Sequence, residues 1–375
     1  MPDSDLERSR ASLCALVNGE DRAALDAPLT PELVALAREE RVHLLIADRL
    51  RTLARQSGAT DVVSRPDAAD LLAELRPAAV IDAARQAELR TVLGALARAD
   101  APALVIKGAA VAWTHYERPE LRPRADTDLL IADAHRDRVA AALAALGYTR
   151  EPGTEGRLIT SQFHFQKRDR AGIEHRLDVH WRISNARAFA DALSYAELLD
   201  AAVPLPALGP DARAPSAVHA LLLACIHRVA HHIDSTDLLW LYDIALLARA
   251  CTARERAQFV RLASERRMRA VCARNLELAA EAFGGIGAEW LGALAPSSAA
   301  EPSAAFLASG LAQIDVLRAD LAATPGWHRR VQLIGEHLFP RPAFMYERYR
   351  TRQPLALPFL YLHRVVTGWP KWFRR

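Results

Sequence analysis

Residues 103–183 interrupt an otherwise helical chain, and this interruption limits what the chain can fold into. Ala103-Leu104-Val105-Ile106 is a short continuous apolar run followed by Lys107-Gly108, the pattern of a buried strand ending in a tight turn. Residues 109–115 read as a short helix. Residues 117–124 hold two prolines and form a loop. Residues 128–131 make a second strand, and 134–146 a helix closed by Gly147. Residues 162–167 and 173–183 are two strands joined by a turn containing Gly172, a hairpin. This order predicts an α+β fold: a small mixed sheet with helices packed on one side.

The flanks carry apolar residues at three- and four-residue intervals. Helices are expected over 31–54 and 77–99, then over 220–233, 238–250, 253–283 and 304–322. Ser64-Arg65-Pro66-Asp67 and Pro340-Arg341-Pro342 read as breaks. The resulting division is a helical region at 1–85, an α/β core at 86–205, a helical domain at 206–340 and a basic, aromatic tail at 341–375. Within the tail, Trp369, Trp372 and Phe373 mix with Arg364, Lys371, Arg374 and Arg375, and Pro370 is expected to shorten any helix. Packing on its own protein is the favoured reading of that tail, with an anionic membrane surface as the second.

The 375 residues are long enough for two or three domains. A net charge of +3 weighs against long nucleic acid as a partner. Cys14, Cys225, Cys251 and Cys272 have no metal or redox spacing, the polar start has no apolar leader, and no stretch is apolar enough to span a bilayer. A cytoplasmic protein is expected. Nearly every basic residue is arginine; the lysines are Lys107, Lys167 and Lys371 alone. A lysine kept in such a chain suits a site wanting a compact ammonium.

Asp126-Thr127-Asp128 leads into the second strand, and residues two apart in a strand share a face. Two carboxylates held together repel unless neutralised, and a hard divalent cation does this while binding phosphate oxygens. In His175-Arg176-Leu177-Asp178-Val179-His180-Trp181, Asp178 shares a face with Arg176 and His180. If that strand lies beside Asp128, a third acid completes the cluster. Two such cations, Mg²⁺ or alternatively Mn²⁺, clamp the attacking and leaving oxygens of a displacement at phosphorus. Asp178 can also take the proton from an attacking hydroxyl. Lys107, Gly108, Arg122 and Arg124 are candidates for nucleotide phosphate, through charge, a φ > 0 glycine turn and the free N–H groups of the next helix. A bare D-x-D also occurs as solvated strand-end acids; the preceding K-G turn and the hairpin acid favour the metal reading.

Val105-Ile106-Lys107-Gly108-Ala109-Ala110, Arg122-Pro123-Arg124-Ala125-Asp126-Thr127-Asp128-Leu129-Leu130-Ile131 and Leu177-Asp178-Val179-His180-Trp181 together resemble the bacterial uncharacterised nucleotidyltransferase family. That family belongs to the DNA polymerase β-like nucleotidyltransferase superfamily. The resemblance continues into Leu239-Trp240-Leu241-Tyr242-Asp243-Ile244 and covers about residues 75–370. It implies Asp126, Asp128 and Asp178 as the metal triad and transfer of a nucleoside monophosphate from an NTP to an acceptor. Where the wider superfamily has a glycine-serine pair, this chain has Lys107-Gly108, so no hydroxyl waits there for the triphosphate.

The acceptor is expected to be a small molecule, a peptide or a protein bearing a hydroxyl, entering between the core and the helices after residue 216. His180, His231 and Asp243 are assigned to the acceptor side. His227, His231 and His232 share helical spacing but lack a zinc motif. Asp243 needs a partner if buried, an arginine or one of those histidines. Trp240 and Trp181 read as core. His164 and Lys167 lie on opposite faces of one strand, so at most one sees the cleft. The competing functions are a catalytically silent nucleotide- or partner-binding protein on the same fold, and a metal-dependent phosphohydrolase.

Overall fold

The computed structural model describes residues 3–19, 29–57, 66–151, 158–295, 301–308 and 311–372. Seven strands form one mixed sheet: β1 Leu104–Ile106, β2 Thr127–Leu130, β3 Thr149–Arg150, β4 Gln162–Arg168, β5 Glu174–His180, β6 Val203–Pro204 and β7 Arg213–Ala214. Their order is β3-β4-β5-β2-β1-β7-β6. The expected strands and hairpin are present. β3, β6 and β7 are two-residue bridges, too short to show any periodicity in sequence.

Alternation along the strands separates two apolar clusters. Val105, Leu129, Ile131, Leu177 and Val179 pack with Leu89, Val92 and Leu96 of the helix Pro66–Arg98 and with Val139 and Leu143 of the helix Arg136–Ala145. Leu104, Ile106 and Leu130 join the second cluster, which includes the helices Ala217–His232 and Leu238–Ala250. Asp128 shares its strand face with Leu130, so its side chain is directed toward these two helices rather than toward the first cluster. The N-terminal helices Asp3–Asn18 and His43–Ser57 supply Leu13, Leu16, Ile46 and Leu50 to this same second cluster.

Several helices differ from their sequence-based bounds. The expected helix at 31–54 is two, Pro31–Glu39 and His43–Ser57, parted where Arg41 takes φ 59°. The expected helix at 253–283 divides into Ala253–Glu265 and Arg269–Phe283 at Arg267, φ 56°. A left-handed residue ends the i→i−4 ladder whatever the apolar spacing. Residues 304–322 hold a short 3₁₀ segment, Pro302–Leu307, and a helix, Gln313–Ala323. Pro77 lies inside the helix Pro66–Arg98, and the last helix, Leu357–Trp372, runs through Pro370. Ser64, Arg65, Phe373, Arg374 and Arg375 lie outside the described residues, as do the side chains of Trp369, Lys371 and Trp372. No described helix is long and apolar enough to cross a membrane.

Candidate active site

The sheet register assembles the site. β2 and β5 run parallel with Asp128 opposite Asp178 and Leu130 opposite His180. β4 and β5 run antiparallel with His164 opposite Asp178. Side chains at paired positions point to the same face, so Asp128, Asp178, His180 and His164 gather on one side. One ligand atom from each of Asp128, Asp178 and His180 lies within 4.8 Å of the others. Two carboxylate oxygens and an imidazole nitrogen suit a divalent cation such as Mg²⁺ or Mn²⁺.

Lys107 meets this cluster from the end of β1. Its Nζ donates to Asp128 Oδ1 at 2.7 Å and lies 3.2 Å from His180 Nε2, which is itself 2.7 Å from the same Asp128 oxygen. All three groups are buried. Burial pushes the Asp128 carboxyl up, but the Lys107 ammonium and the His180 hydrogen bond outweigh it and hold Asp128 well below the usual carboxylate range. His180 is shifted the other way, down, by burial and by the Lys107 charge, and is neutral. Its Nδ1 has no partner among the described residues. His164 Nδ1 sits 2.7 Å from Asp178 Oδ1, and that bond raises the His164 pKa.

Asp126 precedes β2 at the mouth of the site. The residue is solvent-exposed at the edge of dense surrounding protein. Partial desolvation by that protein, and then the charges of Asp128 and Asp178, push it up to about 6. The cluster within ligand reach thus brings in His180 beside Asp128 and Asp178, with Asp126 as an electrostatic neighbour at its rim.

The left-handed residue at the turn is Lys107, φ 52°, and not Gly108, whose φ had been expected to be positive. A non-glycine residue there costs about 1–2 kcal/mol, and the Asp128 and His180 contacts hold it in place. Gly108 is required for space: a Cβ on it would lie 2.6 Å from Arg122 Cζ. Arg122 is buried and grips Asp243 through Nε to both carboxylate oxygens, 2.9 and 3.0 Å, and through Nη2 to Oδ2, 2.6 Å. Tyr116 donates its hydroxyl to Asp243 Oδ1 at 2.8 Å. Arg124 pairs with Asp82 and donates to the Pro119 carbonyl. Both arginines expected at phosphate are therefore engaged in protein contacts, and Asp243 is held in a structural ion pair with Arg122.

Facing Lys107, the helices Ala217–His232 and Leu238–Ala250 contribute His227, His231 and Trp240. A small cavity of about 20 Å³ lies here, lined by Lys107, Gly108, Arg122, His227, Trp240 and Asp243 among others. Trp240 is a wall of this cavity rather than core: it stacks on His232, centroids 4.4 Å apart, and carries Arg41 at 4.2 Å. Burial and then the Lys107 charge lower His227 and bring His231 down to about 3, so both are neutral. His227 and His232 share an Nε2–Nε2 contact of 3.1 Å. Trp240 Nε1, His227 Nδ1 and His231 Nε2 have no hydrogen-bond partner among the described residues.

Sequence reasoning left His164 open against Lys167; the structure turns His164 to Asp178 and sends Lys167 to Glu88 at 2.8 Å. The signal was the hairpin register, fixed by the turn that Asp169 caps through Oδ1 bonds to the Ala171 and Ile173 amides. Tyr116 and Asp82 carried no sequence signal.

A search among curated proteins returns no match for this chain. Residues 28–284, well over half of the chain and spanning the whole sheet and the helices that cover it, match the family described as uncharacterised nucleotidyltransferase, and the chain is a member of that family of transferases.

Proposed function

We propose that the protein is a divalent-metal-dependent nucleotidyltransferase that moves a nucleoside monophosphate from an NTP to a hydroxyl-bearing small molecule, peptide or protein. The observation that carries this reading is the pairing of Asp128 with Asp178 across adjacent parallel strands, inside a family of nucleotidyltransferases. Asp128 and Asp178, with Asp126 at the rim, are the residues to hold Mg²⁺ or Mn²⁺. The oxygen-rich donor set supports this, and so does the unpartnered His180 Nδ1 beside it. Bound there, the cation would neutralise the triphosphate and the charge that develops at phosphorus.

The chain's own residues divide the remaining work. Lys107 and His180 both bond Asp128 Oδ1, which fixes that carboxylate's orientation while leaving its second oxygen unused by either group. His164 fixes Asp178, the candidate base for the acceptor hydroxyl. The cavity between Gly108 and Trp240 is the candidate acceptor pocket. Neutral His227 and the Trp240 N–H supply unpartnered polar atoms in its lining.

Calorimetry with NTPs, with and without Mg²⁺, on wild type and Asp128→Ala tests the reading. Metal-dependent binding lost in the variant, with pyrophosphate released in the presence of an acceptor, is the expected result. Tight binding indifferent to both Mg²⁺ and Asp128 would sink it in favour of a silent binding protein. Nucleotide cleavage without any acceptor would indicate a phosphohydrolase.

A further inference from the structure

We propose that residues 327–372 form a surface that docks on an anionic lipid membrane, with the helices Trp327–Leu338 and Leu357–Trp372 lying in the plane of the headgroups.

Three observations carry it. Eight of the thirteen exposed large apolar side chains among the described residues fall between residues 327 and 366. They form stripes at helical spacing: Trp327, Val331 and Ile334 on one helix, and Phe359, Leu362 and Val366 on the other, with Phe359 74 % exposed. A stripe of that kind normally faces a core; here both lie open beside an apolar groove between Leu338, Phe339, Leu357, Tyr361 and Val365.

The second observation is charge. Residues 327–375 hold ten Arg and Lys against two Glu, a net of +8, while the whole chain is +3. The preceding 326 residues therefore sum to −5. Positive charge is concentrated on the segment that exposes apolar side chains, and Arg348, Arg350 and Arg352 are exposed between the two helices. Basic residues bordering an apolar stripe match anionic headgroups above acyl chains. The same charge opposes a second copy, which would bring two strongly basic segments together.

The third is position. The matched family region ends at residue 284, and this surface lies wholly after it. It is anchored to the protein by Leu333, buried with Leu158 and Leu317, while the apolar stripe on the same helix stays open. The sequence-based expectation of a tail packed on its own protein is met in part: Tyr361 donates to the Pro340 carbonyl at 2.6 Å and packs on Phe339.

Sedimentation of the full chain with vesicles tests this, comparing phosphatidylcholine alone with phosphatidylcholine containing about 30 % phosphatidylserine. Partition at least about tenfold higher onto the anionic vesicles, and falling with added salt, is expected. Phe359→Ser/Leu362→Ser/Val366→Ser and Arg348→Ser/Arg350→Ser/Arg352→Ser should each lower it by about tenfold. Circular dichroism and NTP affinity should stay unchanged, since all six positions are exposed or lie away from the cleft. Equal partition onto both vesicle types, or onto neither, overturns the proposal. So does a dimer in sedimentation equilibrium that the apolar triple variant abolishes, which would assign the surface to a second copy. Binding to an acidic protein without vesicle binding would equally overturn it.

Discussion

Replacing Asp243 by alanine should destabilise the protein far more than the loss of one surface ion pair. The Arg122 and Asp243 side chains are 3 % and 6 % exposed, and three N–H···O contacts join them. Without Asp243, a guanidinium that cannot be deprotonated is left in a desolvated site, and Tyr116 loses its acceptor. Removing one partner of such a pair costs about 3–5 kcal/mol, and a stranded hydroxyl adds about 1 kcal/mol or more. Replacing both partners with apolar residues of similar size, Arg122→Met with Asp243→Leu, removes the stranded charge and should recover most of the loss. Gly108→Ala offers an independent probe, because its Cβ would press on Arg122 and strain the same pair. A cost of about 1–3 kcal/mol is expected for that overpacking. The assay is urea unfolding of wild type, both single variants and the double variant, followed by one spectroscopic probe so that the shifts compare like with like. A loss below about 1 kcal/mol for Asp243→Ala, or a double variant no better than the single, would refute the claim that desolvation governs this pair.

Other outcomes follow from particular residues. Burial pushes the Asp320 carboxyl up from 3.8 to about 6, partly opposed by its bond from the Arg187 amide. A raised folded-state pKa gives stability that is present below the unfolded value and lost as pH rises through about 6. Asp320 alone should therefore cost wild type about 2 kcal/mol between pH 4 and 6. Thermal melts of Asp320→Asn should lose that share of the slope while Asp126 still titrates, and a pH slope equal to wild type would contradict the assignment. Lys107→Gly and Lys107→Ala both remove the ammonium, but only glycine accepts φ 52° freely. The alanine variant should be less stable by about 1 kcal/mol in chemical denaturation; equal midpoints would show that the turn relaxes. Thr252 and Glu255 form a reciprocal capping box on the helix Ala253–Glu265. Thr252→Ala should cost about 1 kcal/mol, read from the same unfolding curves.

The pattern of strands and helices around residues 103–183 was legible because apolar runs and turn residues are local signals. Asp126 and Asp128 could be placed on one face from spacing alone. Pairing of their strand with β5 could be stated only as a condition, since nothing local specifies which strand lies beside which. The long helices at 31–54 and 253–283 misled for the same reason in reverse. Their apolar spacing is continuous, and the left-handed Arg41 and Arg267 that break them carry no strong sequence mark.

The roles of charged groups divided along the same line. Sequence determined that a lysine, two arginines and three aspartates flank the turn and strands, and residue chemistry made phosphate and metal the natural partners. Tertiary structure decided how they are spent: Lys107 on Asp128, Arg122 on Asp243 and Arg124 on Asp82. Each of these pairs joins residues at least 21 positions apart, and a buried charge takes whichever partner the packing brings into reach. The alternation of a strand fixes which way an aspartate points; only the neighbouring strands and helices fix what it meets there.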